Sequence, residues 1–146
     1  MSVNARAPLL YDDRVLAAIE GVTSVDAARI AGISYRQLDY WERNGIVRAS
    51  IRSGAGSGTR RAYSRADVIE LRICRDLIMA GLSLATAAAT VAKYRDVPDV
   101  VALVIEGDDI SAYSAEGLAD RIRTGGYVLT VLPLGALTAS IDAMLP

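Results

Sequence analysis

The chain has 146 residues, 52% of them hydrophobic, and a formal net charge of −1; with a mean hydropathy of +0.28 it has the apolar content of a packed protein rather than of a disordered one. No apolar run reaches the roughly 18 residues that a membrane helix needs, and the start MSVNARAPLLYDD lacks a long apolar segment with a cleavage site, so the expectation is a cytoplasmic protein without a membrane association. One cysteine, Cys74, and no histidine exclude an internal disulfide and leave no usual nitrogen and sulfur ligand set, so neither a metal nor another cofactor is expected.

In chain order, residues 1–22 read as an extension with one short helix at 13–20, closed by Gly21. Thr23 and Asp26 stand at capping-box spacing, and Val25, Ala28 and Ile30 begin an apolar face that stops at Gly32, which predicts a short helix. Ser34 and Gln37 repeat that spacing and open a helix through Asn44, with Leu38 and Trp41 on one side and Gly45 placed for a left-handed cap. Residues 47–52 and 59–63 are strand-like on either side of SGAGSG, whose glycines suit a hairpin tip. Ser64 and Asp67 cap a third helix to about residue 80, with Val68, Leu71, Ile73, Leu77 and Ile78 facing inward and Gly81 ending it. Ser83 opens an alanine-rich helix to Tyr94, and residues 95–99, with Pro98, mark a boundary between two units. Beyond it, 100–105 and 110–113 form a hairpin around Glu-Gly-Asp-Asp, and Ser114 caps a helix ending at Gly125. A strand at 127–132 and a helix at 134–145, with Leu137, Ile141 and Met144 on one side, complete the order ββαβα.

The near-neutral total conceals a segregation of charge. Residues 36–75 carry nine arginines against four acids, a net of +5, whereas 96–146 carry eight acids against Arg121 and Arg123, a net of −6. The two regions therefore have different partners or surfaces.

A helix-turn-helix needs small residues where its helices cross, a glycine in the turn, and apolar residues that fix the second helix. AARIAGISYRQLDYW provides Ala27, Ala28 and Ala31 for close approach, Gly32 for the turn, and Ile33, Leu38 and Trp41 as anchors. Tyr35, Arg36, Asp39, Tyr40 and Arg43 then face outward, and the capped helix start offers backbone donors and the positive dipole end to phosphate. A basic, glycine-tipped hairpin follows directly. The fold class is thus mainly α with a small β content (α+β): a winged helix-turn-helix DNA-binding domain followed by a small ββαβα domain.

Over about residues 23–94 the sequence resembles the MerR family of winged-helix transcription regulators. The motifs that carry the resemblance are YWERNGIV, a wing ending in Arg61-Ala62-Tyr63, and Gly81-Leu82-Ser83-Leu84 at the step between helices. SYRQLDYW with the GSGTRRAYS wing is most similar to small actinobacterial members. The resemblance implies that Ser34, Tyr35, Arg36 and Tyr40 belong to a recognition helix that also carries Arg43. It implies further that Arg52, Arg60 and Arg61 make the wing's phosphate or minor-groove contacts, and that Tyr63 and Arg65 hold the DNA backbone. Two departures stand out. Asp39 occupies a position where many members have arginine, and would repel phosphate or accept from a cytosine amino group. The family's long dimerising helix is replaced by the acidic ββαβα segment.

Several of these residues have plainer readings. Trp41 shares a face with Leu38 and belongs to the core; Tyr35 and Tyr40 are either DNA contacts or ordinary surface residues. Arg72 and Arg75 are solvated or ion-paired, and Cys74 is a buried, inert thiol. SGAGSG lacks the lysine and the strand-to-helix setting of a nucleotide loop, and Glu106, Asp108 and Asp109 form a solvated turn rather than a cation site.

The expected division is an extension over 1–22, the DNA-binding domain over 23–96, and an acidic dimerisation or effector domain over 97–146. The expected function is sequence-specific regulation of transcription by a nucleoid-associated homodimer on double-stranded DNA, with RNA polymerase or another protein as a further partner. An excisionase or other DNA-architectural factor with a similar winged helix is the alternative. No acid–base or nucleophilic set is visible, so no enzymatic activity is expected.

Overall fold

The computed structural model describes residues 21–52, 60–125 and 128–146. The helix expected at 13–20 and the hairpin tip at 53–59 lie outside them. The chain divides into two compact units, Met1–Arg72 with Ile141–Pro146, and Ile73–Ser140.

In the first unit, β1 (Val22–Thr23) leads into α1 (Ser24–Ala31) and α2 (Tyr35–Arg43), followed by β2 (Ala62–Tyr63) and the start of α3 (Arg65–Met79). Thr23 serves two elements: its extended backbone pairs with Ala62 in an antiparallel β1–β2 ladder, and its hydroxyl accepts from the Asp26 amide to cap α1. Capping was legible in the sequence; the two-residue strand was not. The buried side of α1 is Ala27, Ala28, Ile30 and Ala31. Val25, expected on that face, lies opposite it and is 66% exposed, as its helical angle from Ala27 and Ile30 requires.

Both short helices end alike. Gly32 (φ +76) and Gly45 (φ +67) enter the left-handed region, so that the Ile33 amide reaches the Ala28 carbonyl and the Ile46 amide the Trp41 carbonyl. Glycine is the residue that accepts this backbone without a Cβ clash.

The segment 47–52, expected as a strand, makes only one β-bridge, Arg52 to Ala62. The reason lies in its amides: that of Ala49 is taken by the Glu42 carboxylate and that of Ser50 by the Asp67 carboxylate, each at 2.8 Å. With those donors committed to side chains, no strand neighbour can use them. Val47 and Ala49 are buried beneath this loop. On α3, Val68, Leu71, Cys74 and Leu77 form a fully buried stripe at every third residue. Cys74 thus completes the inner face, while Ile73 and Ile78 lie beside it, half-buried.

The second unit holds the rest of α3 and α4 (Leu84–Tyr94), whose start is capped by the Ser83 hydroxyl on the Thr86 amide. The Thr90 hydroxyl, buried, donates to the Thr86 carbonyl at 2.8 Å. An antiparallel sheet in the order β4-β3-β5 follows, from β3 (Ala102–Glu106), β4 (Asp109–Tyr113) and β5 (Thr130–Pro133). Glu106 pairs with Asp109 across a two-residue turn, opened by Gly107 at φ +61. As the central strand, β3 has Ala102, Leu103, Val104 and Ile105 all buried, on both faces. Ser114 caps α5 (Ala115–Thr124) through the Gly117 amide, and α6 (Leu134–Met144), whose residues from Ile141 onward belong to the first unit, closes the ββαβα order expected from the sequence. Leu137 and Ile141 are buried, but Met144 is 41% exposed and does not extend their face. Among the described residues no helix is long and apolar enough to cross a membrane.

Candidate nucleic-acid interface

The second helix of the helix-turn-helix is fixed from below. Leu38 and Trp41, one turn apart, are 0% and 3% exposed, which turns Tyr35, Arg36, Asp39, Tyr40 and Arg43 outward on a wheel of about 100° per residue. Tyr35 and Tyr40 stand 55% and 57% exposed, and Arg36 and Arg43 are exposed. At its start the capping box is complete: Ser34 Oγ accepts from the Gln37 amide and Gln37 Oε1 from the Ser34 amide. Ser34 is thereby engaged as a cap, and the amides of Tyr35 and Arg36 remain to face an outside acceptor.

The hairpin base is tied to this helix by two acids. Glu42, on α2, accepts from the Ala49 amide and from the Tyr63 hydroxyl. Asp39, also on α2, accepts on Oδ1 from Arg61 at 2.8 Å and on Oδ2 from Arg43. The Arg61 guanidinium, and next that of Arg43, hold the Asp39 carboxyl below the usual carboxylate range. Asp67 forms a third junction: it is 7% exposed and accepts from the Ser50 amide, the Ser50 hydroxyl and the Ser64 amide. Its own amide donates to Ser64 Oγ, completing the cap of α3.

The structure brings Tyr35, Arg36, Tyr40 and Arg43 onto one face of α2 and joins Arg61 to it through Asp39. Arg52 and Arg60, on the two sides of the hairpin, are exposed and have no ion-pair partner among the described residues. Arg65 is exposed but already engaged by Asp142, whose two oxygens take its Nε and a terminal nitrogen at 2.6 and 2.9 Å. The expectation for Tyr63 needs correction. It is fully buried, its hydroxyl is turned to Glu42, and burial, reinforced by the Glu42 charge, pushes the phenol well above its ordinary range. With no exposed atom it cannot hold a DNA backbone; its work is to position α2 against β2. Glu42, Asp67 and Ser50 were missed from the sequence as parts of the site. Only the capping relation of Ser64 and Asp67 carried a local signal. Arg75, expected to be solvated or ion-paired, pairs with Asp76 at 2.8 Å, and Cys74 is buried.

Residues 22–93 match the family model of the MerR HTH family regulatory protein. HTH-type transcriptional regulators of Mycobacterium bovis and of two strains of Mycobacterium tuberculosis are 38% identical to the chain over 134 residues. The alignment covers 88% of this chain and 60% of each relative, so the chain spans about three-fifths of the length of the curated relatives it matches. Because residues 1–93 make up less than two thirds of the chain, the similarity also runs into the second unit. The helix-turn-helix geometry, the glycine-closed helices and the family match agree: residues 22–93 form a helix-turn-helix domain of the MerR family.

Proposed function

We propose that the chain is a sequence-specific regulator of transcription that binds double-stranded DNA as a homodimer, on the chromosome in the cytoplasm. In this reading α2 enters a major groove. Tyr35, Arg36 and Tyr40 meet base edges, the free amides at the helix start meet a phosphate, and Arg52 and Arg60 grip the backbone beside it. Ser34 sets the start of the helix; Arg43 and Arg61 stand at the same surface under the hold of Asp39. The single observation that carries the proposal is the outward face of α2, with two half-exposed tyrosines and Arg36 above a fully buried Leu38 and Trp41.

The functional division we propose follows charge and family match: 23–96 reads DNA, and the acidic 97–146 mediates dimerisation or contact with polymerase or another protein. Selection of bound sites from a random duplex library tests this. Inverted half-sites spaced by whole helical turns are expected for a two-fold dimer. Head-to-tail repeats occupied by several molecules would assign the chain to a DNA-architectural role instead, and enrichment of no sequence would refute the proposal.

A further inference from the structure

The proposed reading face carries a carboxylate, Asp39, and the inference drawn from it rests on the DNA-binding reading above. In helical angle Asp39 lies between Tyr35 and Arg43, on the outward side of α2 but with its side chain only 22% exposed. A lone acid there repels phosphate, or else serves as an acceptor for a cytosine amino group. Both oxygens are already engaged within the chain, Oδ1 by Arg61 and Oδ2 by Arg43.

The two links differ in kind. Arg43 is one turn along the same helix and 72% exposed, a pairing that exposed helices make routinely and weakly. Arg61 comes from the base of the hairpin, and both partners are sheltered, at 21% and 22% side-chain exposure. That link joins the hairpin to α2. It also removes cations from use. Asp39, Arg43 and Arg61 together carry a net charge of +1, where the two arginines alone would present +2 to the phosphates.

We infer that Asp39 is a specificity-determining residue: it latches the hairpin base to α2 through Arg61 and withholds Arg61 and Arg43 from phosphate. Affinity for arbitrary duplex is set by the number of phosphates neutralised, so the latch holds that affinity down. Base-dependent contacts need fixed geometry, and the latch supplies it. Asp39 acts through the arginines and need not touch DNA itself.

The test uses the full chain with two probes, poly(dI-dC) as arbitrary duplex and the duplex recovered by selection with the unaltered protein. Asp39→Ala is expected to bind poly(dI-dC) more tightly, by up to roughly tenfold for each freed guanidinium at about 0.1 M salt, with a log–log salt slope steeper by roughly 0.9 for every additional phosphate neutralised. Its preference for the selected duplex shrinks. Asp39→Glu keeps the charge and retains the original slope more nearly than Asp39→Ala. From the other side, Arg61→Ala alone leaves the slope on poly(dI-dC) unchanged, because Arg61 does not neutralise a phosphate, whereas Arg60→Ala flattens it. This second arm stands even if Asp39→Ala fails to fold. The latch is overturned if Asp39→Ala loses affinity for the selected duplex while its slope on poly(dI-dC) is unchanged, which would make Asp39 a direct reader of bases. It is also overturned if Asp39→Ala matches the unaltered protein on both probes, or if Arg61→Ala flattens the slope as Arg60→Ala does. If the unaltered protein binds neither probe, the DNA-binding reading itself fails, and the latch with it.

Discussion

Replacing Asp67 with alanine removes one carboxylate and disturbs four hydrogen bonds at the base of the hairpin. Three donors lose their acceptor, the Ser50 amide at 2.8 Å, the Ser50 hydroxyl at 2.7 Å and the Ser64 amide at 2.8 Å. The reciprocal bond from the Asp67 amide to Ser64 Oγ loses its partner in the capping box. Bonds to a charged group contribute about 1.5–3 kcal/mol each, but their sum overstates the loss. Ser50 is exposed, and its hydroxyl regains water once freed. The Ser64 amide and the cap are more sheltered, and cap removal alone costs about 1 kcal/mol. Asp67→Ala should therefore destabilise the first unit by about 3 kcal/mol. Trp41, the only tryptophan in the sequence and buried in that unit, reports its unfolding in urea. With a slope of about 1–3 kcal/mol per molar, the midpoint should fall by about 1–3 M. Ser50 lies two residues before Arg52, so DNA affinity should fall too, under conditions where the variant is still folded. A midpoint within about 0.2 M of the unaltered protein, at equal slope, would show that water replaces the carboxylate and that Asp67 holds nothing together.

Tyr63 makes the first unit sensitive to alkali. Its folded pKa is raised above the ordinary phenol value by burial, with the Glu42 charge adding to it; the stability it confers is present below about pH 10 and lost as pH climbs toward the raised value. Urea midpoints at about pH 8 and pH 11 should diverge less in Tyr63→Phe than in the unaltered protein, and an equal divergence would contradict the burial effect. Gly21 sits at φ +77, where an added Cβ would lie 2.7 Å from the Tyr63 carbonyl oxygen; Gly21→Ala should cost more than about 1 kcal/mol in the same unfolding assay, and a neutral result would show that β1 and β2 separate freely. Asp142→Asn releases Arg65. If Arg65 lies beside the DNA backbone, the salt slope on poly(dI-dC) should steepen by roughly 0.9, and an unchanged slope would remove Arg65 from the interface.

What the sequence disclosed about this fold was local. Thr23, Ser34, Ser64, Ser83 and Ser114 each announce a helix start through an acceptor or amide three residues on, and Gly32 and Gly45 announce its end through the isoleucine that follows. Such signals span only a few residues and survive any tertiary setting. The same holds for the hairpin around Gly107, and so the ββαβα order was readable. The parts of the site that escaped notice depend on partners far along the chain. Asp39 meets Arg61 across 22 positions, Ser50 meets Asp67 across 17 and Tyr63 meets Glu42 across 21. No spacing rule connects residues so far apart. Tyr63 misled for a related reason. A strand with one wet face would alternate, but Ala62 has Thr23 on one side and Arg52 on the other, and Ala62 and Tyr63 are both buried. The segment 47–52 had the composition of a strand, and lost that conformation because two carboxylates claimed its amides.

The most direct test of the account is the affinity of the full, unaltered chain for duplex DNA as a function of salt. If α2 and the hairpin arginines face a duplex, the logarithm of the association constant should fall linearly with the logarithm of salt concentration, with a slope at least as steep as roughly −2 per protomer from Arg52 and Arg60. An affinity at low salt no greater than that of an acidic protein of the same size, or a slope near zero, would contradict it.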